Sequence, residues 1–393
     1  MNSRTSRLSD FFDSYTKDLT AEDLQRLFTR DTRDAYKFLT RGRDADALAR
    51  LPWHRRILAE IRILFLAFSM KLSPARRVVF GAALVLAFIG LVNLFRGIGV
   101  IELLRVPVVG GIGIIGPEFR QGTWSMLFAF ALMNLLVLLE VADRLSLKND
   151  LEIARDIQQA MLPSGIFSAA GVETFGMSRP ANTVGGDFYD ILALDDGRVV
   201  IAVGDVAGKG SPAALLMALL LAMLRTLVDE RLEAADLVTR LNVQVCRQAP
   251  RSRFITLFYA VYDPLTGKLT YVSAGHMPPL LLRRDGTCER LSDGGIALGM
   301  FERSTYTTGH ALVQPGDLLA VYSDGITEAE SAAGRPFDEI GLETALKASA
   351  RRALSEIGAA VVRAVERHTG DTRFADDLTI LLLRRTTSSP AGV

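Results

Sequence analysis

The spacing of apolar and polar positions changes character several times along the chain. In residues 1–70 charged and apolar side chains alternate at helical intervals. Thr20 followed by Ala21, Glu22 and Asp23 predicts an N-cap with acids in the first turn, and Leu24, Leu27 and Phe28 continue on one face. From Trp53 to Leu72 basic residues lie among aliphatics, a pattern that suits a helix on a membrane surface or one packed in a core. Val78 to Phe95 and Gln121 to Leu139 contain no charged residue, and each is long enough to cross a bilayer, whereas helices of soluble domains keep a polar face. The stretch between them is apolar and rich in glycine but carries Arg96, Glu102, Arg105 and Arg120. It is expected to form an extracytoplasmic cap, a re-entrant segment or a third span; the cost of a charged pair inside lipid favours two spans.

After Glu140 the pattern becomes polar, with Leu147, Leu151, Ala154 and Met161 at three- and four-residue steps. This predicts a helix continuing out of the second span and ending near Pro163, with a seam that either pairs with another copy or packs on its own C-terminal domain. Beyond it, strands are expected at Arg198–Val203, Phe254–Tyr262, Leu269–Ser273, Leu280–Arg283, Leu318–Tyr322 and Leu378–Arg384. Ser211 as N-cap and Pro212 in the first turn open a helix that is apolar nearly all round. Arg225 and the neighbouring strands mark it as a helix buried on a sheet rather than another span. Two more helices, near 339–350 and 354–369, precede the last strand. Antiparallel hairpins with helices outside them predict an α+β sandwich.

Composition narrows the functional classes. A chain of 393 residues with a formal net charge of +1 and no basic aromatic groove gives no sign of a nucleic-acid partner. Cys246 and Cys288 lie far apart without CxxC spacing, which argues against a disulfide framework or a zinc site and for a reducing compartment. The polar N-terminus gives no indication of a cleaved signal peptide. Lys71, Arg76 and Arg77 before the first span, and Arg144 and Lys148 after the second, predict that both flanks face the cytoplasm.

Candidate chemistry is concentrated in four acidic motifs of the C-terminal half: VGGDFYD at Val184–Asp190, GDVAGKG at Gly204–Gly210, SDGITE at Ser323–Glu328 and ADDLT at Ala375–Thr379. Each sets an aspartate beside an apolar run. Carboxylates gathered at the rim of a core repel unless they hold protons or cations, and oxygen ligands without nearby Cys or His favour a hard ion, Mg²⁺ or Mn²⁺.

In order, spacing and wording these motifs resemble the metal-dependent serine/threonine phosphatases of the 2C type (PPM), specifically the bacterial SpoIIE/RsbU branch. The likeness runs from about Leu151 to Arg384 and includes ARDIQQAMLP, FITLFYAVYDP and SAGHMPP. It implies a four-layer αββα sandwich with two Mn²⁺ or Mg²⁺ ions. Asp187 and Asp205 would hold the pair, with Asp205 bridging, the Val206 carbonyl completing one sphere, and Asp324 and Asp376 ligating from the far side. Asp377 is expected to support the site or cap a strand rather than ligate, Asp190 to be an exposed turn acid rather than an outer partner of the site, and His276 to be structural rather than a general acid. Gly208 and Gly210 look like a phosphate-cradling loop, but no Walker lysine pattern follows. Some members of the wider family carry an arginine five residues before the first metal aspartate; Asn182 stands there in this chain, with Arg179 nearby as a substitute.

The expected organisation is a cytoplasmic helical region (1–70), a membrane region with two spans (71–140; spans 78–95 and 121–139), a signalling linker helix (141–163), a phosphatase domain (164–386) and a tail (387–393). The two spans and their basic flanks predict a multi-pass inner-membrane protein, with the domain that carries the resemblance in the cytoplasm. That resemblance implies action on a phosphorylated regulatory protein such as an anti-sigma-factor antagonist; the lipid bilayer and a second copy, joined through the linker helix, are expected as further partners. The competing expectation is a phosphatase-like receptor that only binds a partner.

Overall fold

The computed structural model describes residues 72–96, 98–106, 110–117, 123–163, 165–169, 171–250, 253–370 and 374–386, together with positions 52 and 69. The helical region expected over 1–70 and the tail at 387–393 lie outside these residues, apart from those two positions. The chain divides into two compact units, Met1–Leu145 and Ser146–Val393.

In the first unit, helix α1 (Pro74–Arg96) and the part of helix α2 (Thr123–Met161) up to Leu145 hold the uncharged stretches 78–95 and, from Thr123, 121–139. Both are long and apolar enough to cross a membrane. Their large side chains face outward: Phe88 is 67% exposed, Phe130 68% and Leu138 66%, an unfavourable arrangement in water and a favourable one in lipid. Arg76 pairs with Asp143 at 2.7 Å and Glu140 at 3.4 Å, which brings the start of α1 beside the charged stretch that follows the apolar part of α2. The described residues of the connecting segment form two strands rather than a third helix. Strand β1 (Ile98–Val106) pairs antiparallel with β2 (Gly110–Pro117), from Ile98 opposite Pro117 to Val106 opposite Gly110. Isoleucine, valine and interspersed glycine disfavour a helix and suit paired strands.

Helix α2 runs without a break from the apolar stretch to Met161, the continuous helix ending near Pro163 that the sequence predicts. Residues 139–162 contain neither Gly nor Pro, and Pro163 follows the end of the helix. Ion pairs at i,i+4, Glu140 with Arg144 and Lys148 with Glu152, add a few tenths of a kcal/mol each at most.

The second unit is built on two six-stranded sheets. One has the order β10 (Cys288–Arg290), β9 (Leu280–Leu282), β13 (Leu318–Tyr322), β14 (Leu378–Arg385), β4 (Val172–Arg179) and β3 (Ile166–Ala169). The other runs β11 (Gly294–Gly295), β8 (Lys268–Ala274), β7 (Ile255–Tyr262), β6 (Val199–Val206) and β5 (Phe188–Ala193), with β12 (Gly309–Leu312) also on β8. All pairings are antiparallel except β11 with β8.

Three cores account for the burial. Helices α3 (Ser211–Asp229) and α4 (Ala234–Gln248) bury Met217, Leu220, Leu224, Leu237 and Leu241 against Val200, Ala202, Leu257 and Tyr259 of the second sheet. Between the sheets lie Ile201, Val203, Phe258, Leu319, Val321 and Leu381. Helices α6 (Asp338–Ser349) and α7 (Leu354–Thr369) cover the other face of the first sheet through Leu342, Leu346, Ile357 and Val361. Central strands covered on both faces have no polar side to show. This is why β13 and β14 are apolar runs rather than alternating ones.

Helix α3 is long and apolar enough to qualify as a span by length and composition, yet its residues belong to this core, as Arg225 suggested. Its cap differs from expectation. Ser211 is the first helical residue and Gly210 precedes it at φ 76°, a conformation glycine adopts without strain. Asp190 also differs: it is only 1% exposed and accepts hydrogen bonds from Arg225 at 2.7 and 3.2 Å. A carboxylate buried between a strand and a helix needs such a cation.

Candidate metal centre

Strand pairing places the acids. Phe188 lies opposite Gly204, so Asp187, one residue earlier, faces Asp205 at the same end of the β5–β6 pair. In the other sheet Tyr322 is opposite Ile380; Asp324, which opens the short helix α5 (Asp324–Thr327), and the Asp376–Asp377 pair thus emerge at one end of β13 and β14. The Ser323 hydroxyl donates to the Asp377 carbonyl at 3.2 Å and receives the Thr379 N–H at 3.0 Å, tying the two strand ends together.

The aspartates feel one another. Asp187 is 3% exposed, and burial, with Asp205 as the next cause, holds its carboxyl well above the usual carboxylate range. Asp205 is pushed up to about 6 by burial and then by the charge of Asp324, with Asp376 and Asp377 adding to it. Asp324 is raised by burial, then by Glu328 and Asp376. Among the described residues no three ligand-type side chains converge on a single point. The pairwise repulsions nevertheless connect all four expected ligands. The raised carboxyls of Asp187, Asp205 and Asp324 reflect burial together with neighbouring negative charge. Asp376 is engaged by Lys209, whose ammonium lies 2.8 Å from its Oδ2 and also donates to the Ala375 carbonyl at 2.8 Å.

The residues fit a hard divalent cation. Asp187 Oδ2 is buried with no hydrogen-bond partner, an expensive state for an anionic oxygen unless something positive is aimed at it. A Cβ on Gly186 would lie 2.8 Å from the Val206 carbonyl oxygen and 3.0 Å from Asp205 Oδ1. Glycine there lets the Asp187 backbone approach the two other oxygens expected to ligate. Carboxylates plus a carbonyl, without thiol, form the oxygen set that Mg²⁺ and Mn²⁺ take.

Asp377 supports the loop that carries Asp187. Its Oδ1 accepts the Ala181 N–H at 2.8 Å and its Oδ2 accepts the Gly186 N–H at 2.6 Å. With these amides satisfied it acts as the anchor expected of it. His276 is 7% exposed, and burial takes its imidazole down to about 4, so it is neutral at pH 7; its Nδ1 lies 3.0 Å from the Thr256 hydroxyl, on the strand position opposite Asp205. Arg179, expected as a substitute phosphate grip, is engaged elsewhere in this structure. It pairs with Glu366 at 3.1 Å and lies over the Phe374 ring. Two residues at the site were not expected from sequence, Lys209 and Gln158. The latter makes two hydrogen bonds to the Gly185 backbone, at 2.8 and 3.2 Å. The helical face Leu151, Ala154, Gln158, Met161 held the signal: a polar residue on an otherwise apolar face.

The fold and the placement of the acids define a 2C-type phosphatase domain. A family model described as Stage II sporulation protein E (SpoIIE) matches residues 195–386, which include Asp205, Asp324 and Asp376. Phosphoserine phosphatase RsbU of Bacillus subtilis (strain 168) is 30% identical over 243 residues, 61% of this chain and 71% of RsbU. Protein IcfG of Synechocystis sp. is 29% identical over 301 residues, 70% of this chain but only 46% of IcfG, so the chain spans about half the length of that relative. Among solved structures, the SiaA-PP2C domain of Pseudomonas aeruginosa has the same fold, with a TM-score of 0.54 at 23% identity over 62% of this chain and 98% of that domain. The chain belongs to the SpoIIE/RsbU-type family of PPM phosphatases.

The acids also set a pH dependence. A carboxyl whose folded pKa is raised stabilises the metal-free fold at low pH, and that stability is lost as pH rises through the folded value, about 6 for Asp205. His276 acts in the opposite sense, destabilising the fold as pH falls from its unfolded value of about 6.5 toward about 4. Mn²⁺ is therefore expected to raise the Tm strongly at pH 7.5 and much less below pH 6, where protons compete for the same oxygens. Thermal unfolding with Mn²⁺ or chelator at pH 5.5 and 7.5 checks this; an equal rise at both would show that these acids do not bind the ion.

Proposed function

We propose that this protein is a membrane-anchored phosphatase that hydrolyses phosphoserine or phosphothreonine on a regulatory protein, using two Mn²⁺ or Mg²⁺ ions. The observation that supports it best is the buried, unpartnered oxygen of Asp187 beside Asp205, within a set of mutually repelling carboxylates. Asp187, Asp205, Asp324, Asp376 and the Val206 carbonyl are the proposed ligands. Bound ions there would supply an acidified water as nucleophile and neutralise the phosphoryl oxygens. The chain's own groups hold the acids in place: Asp377 and Gln158 fix the Asp187 loop, and Ser323 fixes the strand ends. Neutral His276 supports the β7 strand position opposite Asp205 and is not given a proton-transfer role. RsbU bears the name of a phosphoserine phosphatase, and that relationship motivates an anti-sigma-factor antagonist as the substrate.

Incubated with Mn²⁺ and a panel of phosphorylated antagonist proteins, the purified chain is expected to release phosphate. Asp205→Asn and Asp324→Asn should each lower turnover by at least about 100-fold, in line with loss of metal-ion catalysis, while the fold is kept. Full activity of both variants, or of the chelated enzyme, would reject the proposed site. A folded chain that binds Mn²⁺ yet hydrolyses no member of the panel would reject the substrate class and favour the receptor alternative.

The outward-facing apolar helices α1 and α2, with basic residues at the joined ends, support a multi-pass inner-membrane location with the catalytic unit in the cytoplasm. Reporters fused at the N-terminus and after Val393 should both report cytoplasm, and one inserted at Gly111 the opposite side. Extraction of the chain by salt without detergent would contradict membrane insertion.

A further inference from the structure

The end of helix α2 grips the chain on both sides of Asp187. On one side, the Gln158 carboxamide, on a residue 8% exposed, donates from Nε2 to the Gly185 carbonyl at 2.8 Å and accepts the Gly185 N–H on Oε1 at 3.2 Å. On the other, the Tyr189 hydroxyl donates to the Pro163 carbonyl at 2.7 Å, and Arg225 donates at 2.7 Å to the Met161 carbonyl while also holding Asp190. Gly185 has no slack: a Cβ there would stand 2.3 Å from Asp377 Oδ2, the same oxygen that receives the Gly186 N–H. The peptide groups before Asp187 are thus fixed between Gln158 and Asp377.

The Ser323 and Thr379 hydroxyls reach the Asp187 carboxyl, but not both of its oxygens are held. Its Oδ2 has no hydrogen-bond donor, so the position of that oxygen depends heavily on the backbone that carries it. Resting on the metal-dependent function proposed above, we infer that Gln158 is a positioning residue: its two-point bond to Gly185 sets where Asp187 presents its carboxylate to the metal. The side chain forms the pair of hydrogen bonds that an adjoining strand residue would form, so it substitutes for a strand neighbour just before β5 begins. The next residue, Gln159, is exposed and makes no such contact, which provides a matched control one position away.

Supporting groups that orient a metal ligand typically contribute 10- to 100-fold to affinity. Gln158→Met preserves the volume and removes both hydrogen bonds. In the full-length chain in detergent, Mn²⁺ binding followed by calorimetry should weaken by about 10- to 100-fold in this variant and stay unchanged in Gln159→Met. Saturating Mn²⁺ should restore the phosphate-release rate of Gln158→Met toward wild type, a rescue that a general packing defect would not show. Should Gln158→Met fail to fold, Gln158→Glu keeps an acceptor for the Gly185 N–H and loses the donor; weaker Mn²⁺ binding than wild type is expected there too. Wild-type affinity in a folded Gln158 variant, or equal weakening by Gln159→Met, would overturn the inference. Asp205→Asn run alongside separates this from failure of the metal reading: if it too leaves Mn²⁺ binding intact, the site itself is misplaced.

Discussion

Everything at the candidate site of this protein depends on the repulsion that links the poorly solvated Asp187, Asp205 and Asp324 with the more exposed Asp376. At an effective dielectric of about 20, two carboxylates about 4 Å apart oppose each other by roughly 4 kcal/mol, a large fraction of the stability of an ordinary domain. Such a site persists only if the scaffold holds the acids from behind and the charges are offset from in front. The scaffold supplies the first requirement through two strand pairs, β5–β6 and β13–β14, whose ends meet the site. Protons on the raised carboxyls, the Lys209 ammonium and divalent cations are the available means for the second.

The supporting bonds are made largely by groups that never need to change charge. Asp377 accepts backbone amides, Ser323 bridges two strand ends, and Gln158 brackets Gly185. Removing any of these leaves the ligands present but free to relax away from one another, which is the direction their charges already push them. The glycines before Asp187 belong to the same device, since a side chain at Gly185 or Gly186 would collide with Asp377 or with the Val206 carbonyl.

The four acids proposed as ligands stood out in the sequence because each stands beside an apolar strand, and strand ends are where a sandwich exposes side chains. The helix over 211–229 was legible as a buried element for a similar reason: Arg225 has no place in a bilayer and a clear one beside Asp190. Partners distant in sequence were not legible. Arg179 appeared free until Glu366 and Phe374 were brought to it, and Asp190 resembled a turn acid because its cation comes from a helix 35 residues away. The β1–β2 hairpin was missed because a hydropathy window responds to apolar content and not to pairing. Gln158 escaped notice because glutamine suits any exposed helix position, and only the packed face shows that this one is buried.

The central claim is that these carboxylates form one two-ion site. Electron paramagnetic resonance of the full-length protein titrated with Mn²⁺ at pH 7.5 tests it most directly. Two ions per chain with an exchange-coupled signal, lost in Asp205→Asn, is the predicted result. Binding that saturates without spin coupling, or a coupled signal that survives Asp205→Asn, would contradict it.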